Sequence, residues 1–318
     1  MRSRIVVALA LVGVSVVAGC TAVPVPASAP PGPARTGTQN GSVASCPVFP
    51  SDNPWNTDVS GVARRAGSDA VIAQIQADGS DFLHADFGGD GEYGIPYVTV
   101  PADEPPVPAT FFDWPDESDP GPYPVPLGAP IEGGSDRHVL AVQLGSCRLF
   151  EMYNATPTAD RWQASNGAVF DLRSNALRTD GWTSADAAGL PIFPGLVRYD
   201  EVASGVIRHA LRVTFGRTQR GYVRPATHFA SSDTNPSRPP MGLRLRLRAD
   251  FDLSGFHGQA LVILQALKTY GLLVADNGSN WFISGAADPR WDDTDLNQLK
   301  TVPGTAFEVL DTGPTITG

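Results

Sequence analysis

Four side chains in the middle of this chain have the types and surroundings for acid–base work on a bound substrate: Glu151, Asp171, Asp200 and His209. Glu151 stands in the run Leu149-Phe150-Glu151-Met152-Tyr153. On the two-residue period of a strand it shares a face with Leu149 and Tyr153. A carboxyl desolvated by such neighbours has a raised pKa, which is what a general acid needs. Asp171 or Asp200 then supplies the nucleophile or base of a glycoside hydrolase pair, and His209 orients a group or shuttles a proton. The competing reading pairs each acid with a nearby arginine: Glu151 with Arg148, Asp171 with Arg173, Asp200 with Arg198 or Arg208. It makes His209, between Ile207 and Leu211, a core residue. Paired carboxylates on separate strands have no diagnostic spacing, so the sequence leaves both readings open.

Substrate contacts are expected from Trp182, Tyr199, Arg212 and His228. Trp55, Trp114, Trp162, Trp182, Trp281 and Trp291 mostly stand beside Asp, Asn, Gly or Arg, and a flat apolar face next to hydrogen-bonding groups is what a sugar ring needs. Large aromatics also anchor loops in any β-rich protein. His209, Tyr199, Arg208 and Arg212 would equally suit a polysaccharide lyase, in which a base removes the proton beside a uronate carboxylate and arginine neutralises that carboxylate. His138, His209 and His228 lack the short spacing of a zinc site, so no metal centre is expected. Gly88-Gly89-Asp90-Gly91 reads as a plain turn, with a structural calcium loop as the alternative. Ser204 and Ser254 lack the Gly-x-Ser-x-Gly elbow of serine hydrolases. Three functions therefore remain: a glycan-cleaving enzyme, hydrolase before lyase; a non-catalytic glycan- or solute-binding protein; and a structural protein of the cell envelope.

Strand signals dominate after Pro130. Residues 138–144 and 147–153 are two apolar runs separated by Gly145-Ser146, which predicts a hairpin. Further strands are expected over 167–172, 197–199, 207–215, 221–225 and 307–310. Over 241–251, Leu243, Leu245 and Leu247 alternate with Arg244, Arg246 and Arg248, which predicts a half-buried strand with a basic outer row. Leu272–Ala275 and Trp281–Ser284 flank the turn signal Asp276-Asn277-Gly278. Helices are expected over 68–78, from Val71, Ile72 and Ile75, and over 258–270, stopped by Gly271, with a short one capped by Asp292 or Asp293. Residues 103–130 read as a long ordered loop pinned by Phe111, Phe112, Trp114 and Tyr123, the rim of a cleft. The expected fold is mostly β, a single sandwich or jelly roll with a few helices.

The 318 residues carry 23 Lys and Arg against 33 Asp and Glu, a net charge of −10, which argues against nucleic acid as a partner. Lysine is confined to Lys268 and Lys300, so nearly all positive charge is arginine. Because the chain is acidic overall, the row Arg244, Arg246 and Arg248 is expected to be a surface feature neutralised by the protein's own carboxylates. Arg2 and Arg4 precede an apolar run from Ile5 to Val17, the pattern of a secretory signal and too short to span a membrane. The segment Val16-Val17-Ala18-Gly19-Cys20 resembles the lipobox of bacterial lipoproteins. That resemblance implies cleavage before Cys20, a lipid on its thiol, and a protein held at the outer face of the cell membrane. Its signal peptide would be 1–19, a Pro/Ala/Ser-rich tether 20–45 and a β-rich globular domain 46–318. With Cys20 lipidated, Cys46 and Cys147 remain. In an oxidising compartment they make one disulfide most simply, with two free buried thiols as the alternative. The segments 181–195, 198–210 and 276–291 resemble a group of uncharacterised secreted actinobacterial proteins. That likeness implies export and supplies no reaction. A polysaccharide or cell-wall glycan is the expected partner.

Overall fold

The computed structural model describes residues 42–317; Cys20 with its signal peptide and most of the tether lies outside the described residues. In chain order the elements are β1 (Ser42–Val43), β2 (Cys46–Pro47), α1 (Ser68–Asp78), β3 (His84–Asp86), β4 (Tyr97–Val100), β5 (Ala109–Phe111), β6 (Val139–Gln143), β7 (Arg148–Tyr153), β8 (Thr156–Pro157), β9 (Trp162–Ala164) and β10 (Asn166–Asp171). They continue with α2 (Tyr199–Ala203), β11 (Leu211–Phe215), β12 (Arg244–Leu247), α3 (Gly258–Thr269), β13 (Leu272–Asn277), β14 (Phe282–Ser284), α4 (Asp293–Leu296) and β15 (Phe307–Val309). The class is mixed α/β with more strand than helix. β1 pairs with β2, so Ser42 and Val43, a few residues before Cys46, already take part in sheet pairing.

Two sheets carry the architecture, ordered β10-β7-β6-β4 and β15-β12-β13-β11-β14-β3; a smaller one runs β5-β9-β8. β4 pairs with β6, β5 with β9, β11 with β13 and β14 with β3 in parallel. The sheets are therefore mixed, where the expected jelly roll would be antiparallel throughout. Parallel neighbours need a crossover, and the long connection from β11 to β13 contains α3. The expected hairpin β6–β7 is present, with Leu140 opposite Glu151. Its alternation serves two cores. Leu140, Val142 and Leu149 join the main apolar core, while Val139, Ala141, Phe150 and Met152 pack in a second core with Tyr123 and Trp162.

The helices follow the apolar spacing. Ile72 and Ile75 of α1 are buried, and the Ser68 hydroxyl accepts the Val309 N–H at 2.9 Å. Ala260, Ile263, Leu264 and Leu267 bury one face of α3. Gly271 ends the helix at φ 68°, where a Cβ would lie 2.1 Å from the Leu245 carbonyl oxygen. Asp292 caps α4 by accepting the N–H groups of Thr294 and Asp295.

Several expectations about strands need correction. Residues 221–225 form no strand, only isolated bridges from Tyr222 to Met241 and Ile316. β13 and β14 do not form a hairpin around Asp276-Asn277-Gly278; β11 lies between them. The stretch read as strand over 197–199 runs into α2, and only the end of 207–215 is β11. The arginine row is not an outer row. Arg244 and Arg246 are buried because the segment 54–62 lies over that face of β12. Arg244 donates to the carbonyls of Pro54, Thr57 and Tyr270, and Arg246 to those of Val59, Ser60 and Val62 and to Glu308. Arg248 alone is exposed, paired with Asp250. The disulfide is formed: Cys46 and Cys147 are bonded with their Cα atoms 5.3 Å apart, which ties the start of the fold to β7.

Candidate functional site

The centre of the polar chemistry is Arg212, on the central strand β11. It is buried, and its guanidinium grips Asp186 through Nε to Oδ2 at 3.0 Å and Nη2 to Oδ1 at 2.9 Å. Nη1 donates to the Ser284 hydroxyl at the end of β14, and Nη2 reaches Asp276 Oδ2 at 3.3 Å. Gly195 permits this placement, since a Cβ there would lie 2.8 Å from the Arg212 Cβ and 2.6 Å from the Trp55 ring.

Asp276 comes to Arg212 through a β-bulge. Val213 pairs with Val274, but Thr214 pairs with Asp276, so Ala275 is an extra residue in β13. Regular alternation would set Asp276 on the face opposite Arg212. The extra residue turns it to the Arg212 face, the way bulges re-aim side chains. Asp276 also lies within hydrogen-bond reach of Asp186. Burial and then the Asp186 charge push the Asp276 carboxyl up to about 7, against the pull of Arg212. Asp186 itself is fully buried.

A second charged pair adjoins the first. His138, just before β6, is buried with Nδ1 2.5 Å from Glu132 Oε2 and Nε2 3.0 Å from the Ala185 carbonyl oxygen. Both partners are acceptors, so both ring nitrogens carry hydrogen and the side chain is an imidazolium. Burial opposes that charge, and the bond and charge of Glu132 outweigh it, so the His138 pKa is raised. Burial likewise opposes ionisation of Glu132, yet His138 holds its carboxyl below the usual range.

Of these groups Glu132 lines an open cleft of about 370 Å³, together with Asp86, Glu92, Tyr93, Ser135 and Asp136 and the glycines between them. Asp276 is not part of that lining, and its side chain keeps 23% exposure. Asp86, at the end of β3, is raised by burial, with Glu132 and Asp136 adding to it and Arg212 opposing. Tyr153, at the end of β7, has its phenol raised by burial and by the charges of Asp136, Asp276 and Asp113. Its ring lies 5.6 Å from His138 and 6.3 Å from the exposed ring of Trp114. An aromatic wall thus stands beside the acids, and the 103–130 segment contributes to it through Trp114.

The expected catalytic set is dispersed. Glu151 is fully buried behind the cleft, where its carboxylate accepts the N–H groups of Ile192, at 3.0 and 2.9 Å, and Phe193, at 2.9 Å. Burial pushes it up to about 7, the direction expected from its neighbours, but no solvent reaches it. His209 is buried, with Nε2 3.0 Å from Glu201 Oε2 and Nδ1 2.8 Å from the Ala210 carbonyl oxygen. Asp200 is exposed on α2 and pairs with Arg290 at 2.9 Å. Tyr199 lies under the Arg290 guanidinium, 4.2 Å from its ring centre. His228 Nδ1 lies 2.7 Å from the Ala187 carbonyl oxygen. Asp171 and Trp182 do come together, in a separate groove of about 590 Å³. Glu151, Asp200, His209 and also Asp276 line neither cavity; Asp276 differs from Glu151 and His209 in keeping part of its side chain exposed.

Of the residues expected to act, only Arg212 lies at this centre, and it holds carboxylates rather than a substrate. The acids around it, Asp186, Asp276, Glu132 and Asp86, carry no spacing signal in the sequence; the one local cue is the Asp276-Asn277-Gly278 turn. Among the described residues no cluster of three or more His, Cys, Asp or Glu has the arrangement of a metal site, and Gly89–Gly91 forms a single 3-10 turn with Gly88 bridged to Tyr93. Searches against protein-family models, curated proteins and solved structures return no match to this chain.

Proposed function

We propose that this protein is a glycan-cleaving enzyme of the glycoside hydrolase type. Asp276 is the general acid and Glu132 the ionised carboxylate that acts as nucleophile or activates water. The observation that carries the reading is the split of two carboxyls around one arginine: Asp276 pushed up to about 7 and Glu132 held below its usual range. Pairs of acids with opposed protonation states are the mark of acid–base catalysis. Near neutrality Asp276 still holds a proton to give to a leaving oxygen, while Glu132 is an anion facing the cleft. Arg212 and Asp186 orient Asp276, and His138 orients Glu132. Tyr153 and Trp114 offer apolar ring faces for a sugar. The lyase reading loses support, because His209 has both nitrogens engaged and is buried away from either cavity.

The disulfide fits an oxidising compartment. With the lipobox at Cys20 it supports a protein tethered outside the cytoplasm that acts on a polysaccharide or cell-wall glycan. The test is incubation of the purified protein with a panel of plant and bacterial polysaccharides, reading reducing ends and unsaturated uronides. New reducing ends that disappear in Asp276→Asn support hydrolysis. Unsaturated products, or no cleavage of any polysaccharide, count against it.

A further inference from the structure

The groove that holds Asp171 and Trp182 shares no lining residue with the acidic cleft. It lies at β10, the outer strand of its sheet, and is also lined by Phe170, Leu177, Arg148 and Arg178. Its parts divide into a rigid platform and free polar groups. Arg178 is fixed by Asp119, by the Glu117 carbonyl at 2.6 Å and by the Thr183 carbonyl at 2.9 Å. Its guanidinium carbon sits 5.7 Å from the ring centres of both Phe170 and Trp182, so the indole is braced in place. Leu177 stands exposed beside it, at 47%. Arg148 and Asp171 face each other across the β7–β10 ladder, and among the described residues neither forms an ion pair. Asp171 uses one carboxylate oxygen to accept the Arg173 N–H.

We propose that this groove is a second, non-catalytic binding site for a neutral polysaccharide chain. An indole face and Leu177 match the apolar C–H face of a sugar ring. A guanidinium and a carboxylate side by side supply donors and acceptors for vicinal hydroxyls, with no net charge to favour an ionic ligand. Because the platform is braced before any ligand arrives, little ordering cost opposes binding. The site would hold the protein on a polymer whether or not that polymer is cleaved elsewhere, so it goes beyond the hydrolase reading and stands without it.

The test is affinity electrophoresis through gels containing one polysaccharide each: β-glucan, mannan, xylan or arabinogalactan as neutral polymers, alginate or polygalacturonate as anionic ones. The expected result is retardation by at least one neutral polymer, weakened about tenfold in Trp182→Ala. Arg148→Ala, at an exposed position, weakens it as well, and Trp182→Phe keeps most of it. Asp276→Asn binds like the unaltered protein, whatever its activity. Retardation only by anionic polymers, none by any polymer, or undiminished retardation of both alanine variants overturns the proposal. Loss of cleavage in Asp276→Asn with binding intact separates the fate of this site from that of the hydrolase reading.

Discussion

His138 Nδ1 and Glu132 Oε2 lie 2.5 Å apart, and the other ring nitrogen meets only a carbonyl, so this histidine is held as a cation inside the fold. The pair gives stability a defined pH window. His138 has a folded pKa above 6.5, so its contribution is complete below 6.5 and is lost as pH rises through the folded value. Glu132 has a folded pKa below 4.5, so its contribution is complete above 4.5 and is lost as pH falls through that value. The two overlap between these limits. His138→Gln should therefore lower stability most near pH 5–6, by about 3 kcal/mol, the lower end for a broken buried pair because Glu132 keeps some solvent. Thermal melts at pH 5.5 and pH 9 check this; an equal loss at both would refute the cationic assignment.

The same acids set the expected activity profile. Turnover should rise with pH through a value below 4.5, where Glu132 ionises, and fall through about 7, where Asp276 gives up its proton. Asp276→Asn should cost roughly 10²–10⁴-fold in turnover. Asp276→Glu should keep some activity and displace the alkaline limb while leaving the acidic one in place. A profile whose alkaline limb ignores position 276 would remove Asp276 from the acid role.

Elements whose periodicity is local were legible in the sequence. The apolar spacing of α1 and α3, the glycine after α3, and the Gly145-Ser146 turn between β6 and β7 all have the structure they imply. What was hidden depends on distant chain. Asp276 looked like a turn residue because nothing in the sequence marks Ala275 as the extra residue of a bulge. Arg244 and Arg246 alternate with leucines as on a half-exposed strand, yet carbonyls some 190 residues earlier cover them. Glu151 is more than half-desolvated: it is fully buried, and periodicity cannot tell the lining of a cleft from the inside of a core. Its partners, Ile192 and Phe193, lie about 40 residues on, in a turn that no spacing connects to it.

Arg244 tests how buried arginine is tolerated without a carboxylate. Its guanidinium is buried and meets carbonyl oxygens of Pro54, Thr57 and Tyr270, and burial pushes its pKa down. Arg244→Leu would leave those carbonyls without donors, at a cost of about 3 kcal/mol. Arg244→Lys should recover part of it, since an ammonium can still donate to two of the three. Denaturant unfolding of both variants checks the order; a leucine variant as stable as the parent would show that solvent replaces the guanidinium.

The disulfide closes a loop of 101 residues and should contribute about 4 kcal/mol by restricting the unfolded chain. Cys46→Ser with Cys147→Ser should then lower the melting temperature by roughly 8–15 °C. Titration of the unreduced protein, unfolded, should find neither thiol. The acidic cleft lies apart from the bond, so the pH profile of any surviving activity should keep its two limbs.

Glu151→Gln separates a structural carboxyl from a catalytic one. Glu151 has no solvent exposure, no cationic partner in contact, and two backbone donors that a glutamine oxygen can also satisfy. Its pKa rises from 4.5 to about 7 on folding. Any stability from this shift is complete below 4.5 and is lost as pH rises to about 7, because the buried group must then ionise. The penalty above pH 7 amounts to roughly 3 kcal/mol. Glutamine carries no such penalty. The variant should therefore lose less stability than the parent between pH 5 and pH 8.5, and retain turnover to within a few-fold. Asp276→Asn, by contrast, should lose turnover while melting close to the parent. If Glu151→Gln abolishes cleavage at an unchanged melting temperature, the catalytic acid lies at Glu151, and the assignment to Asp276 falls.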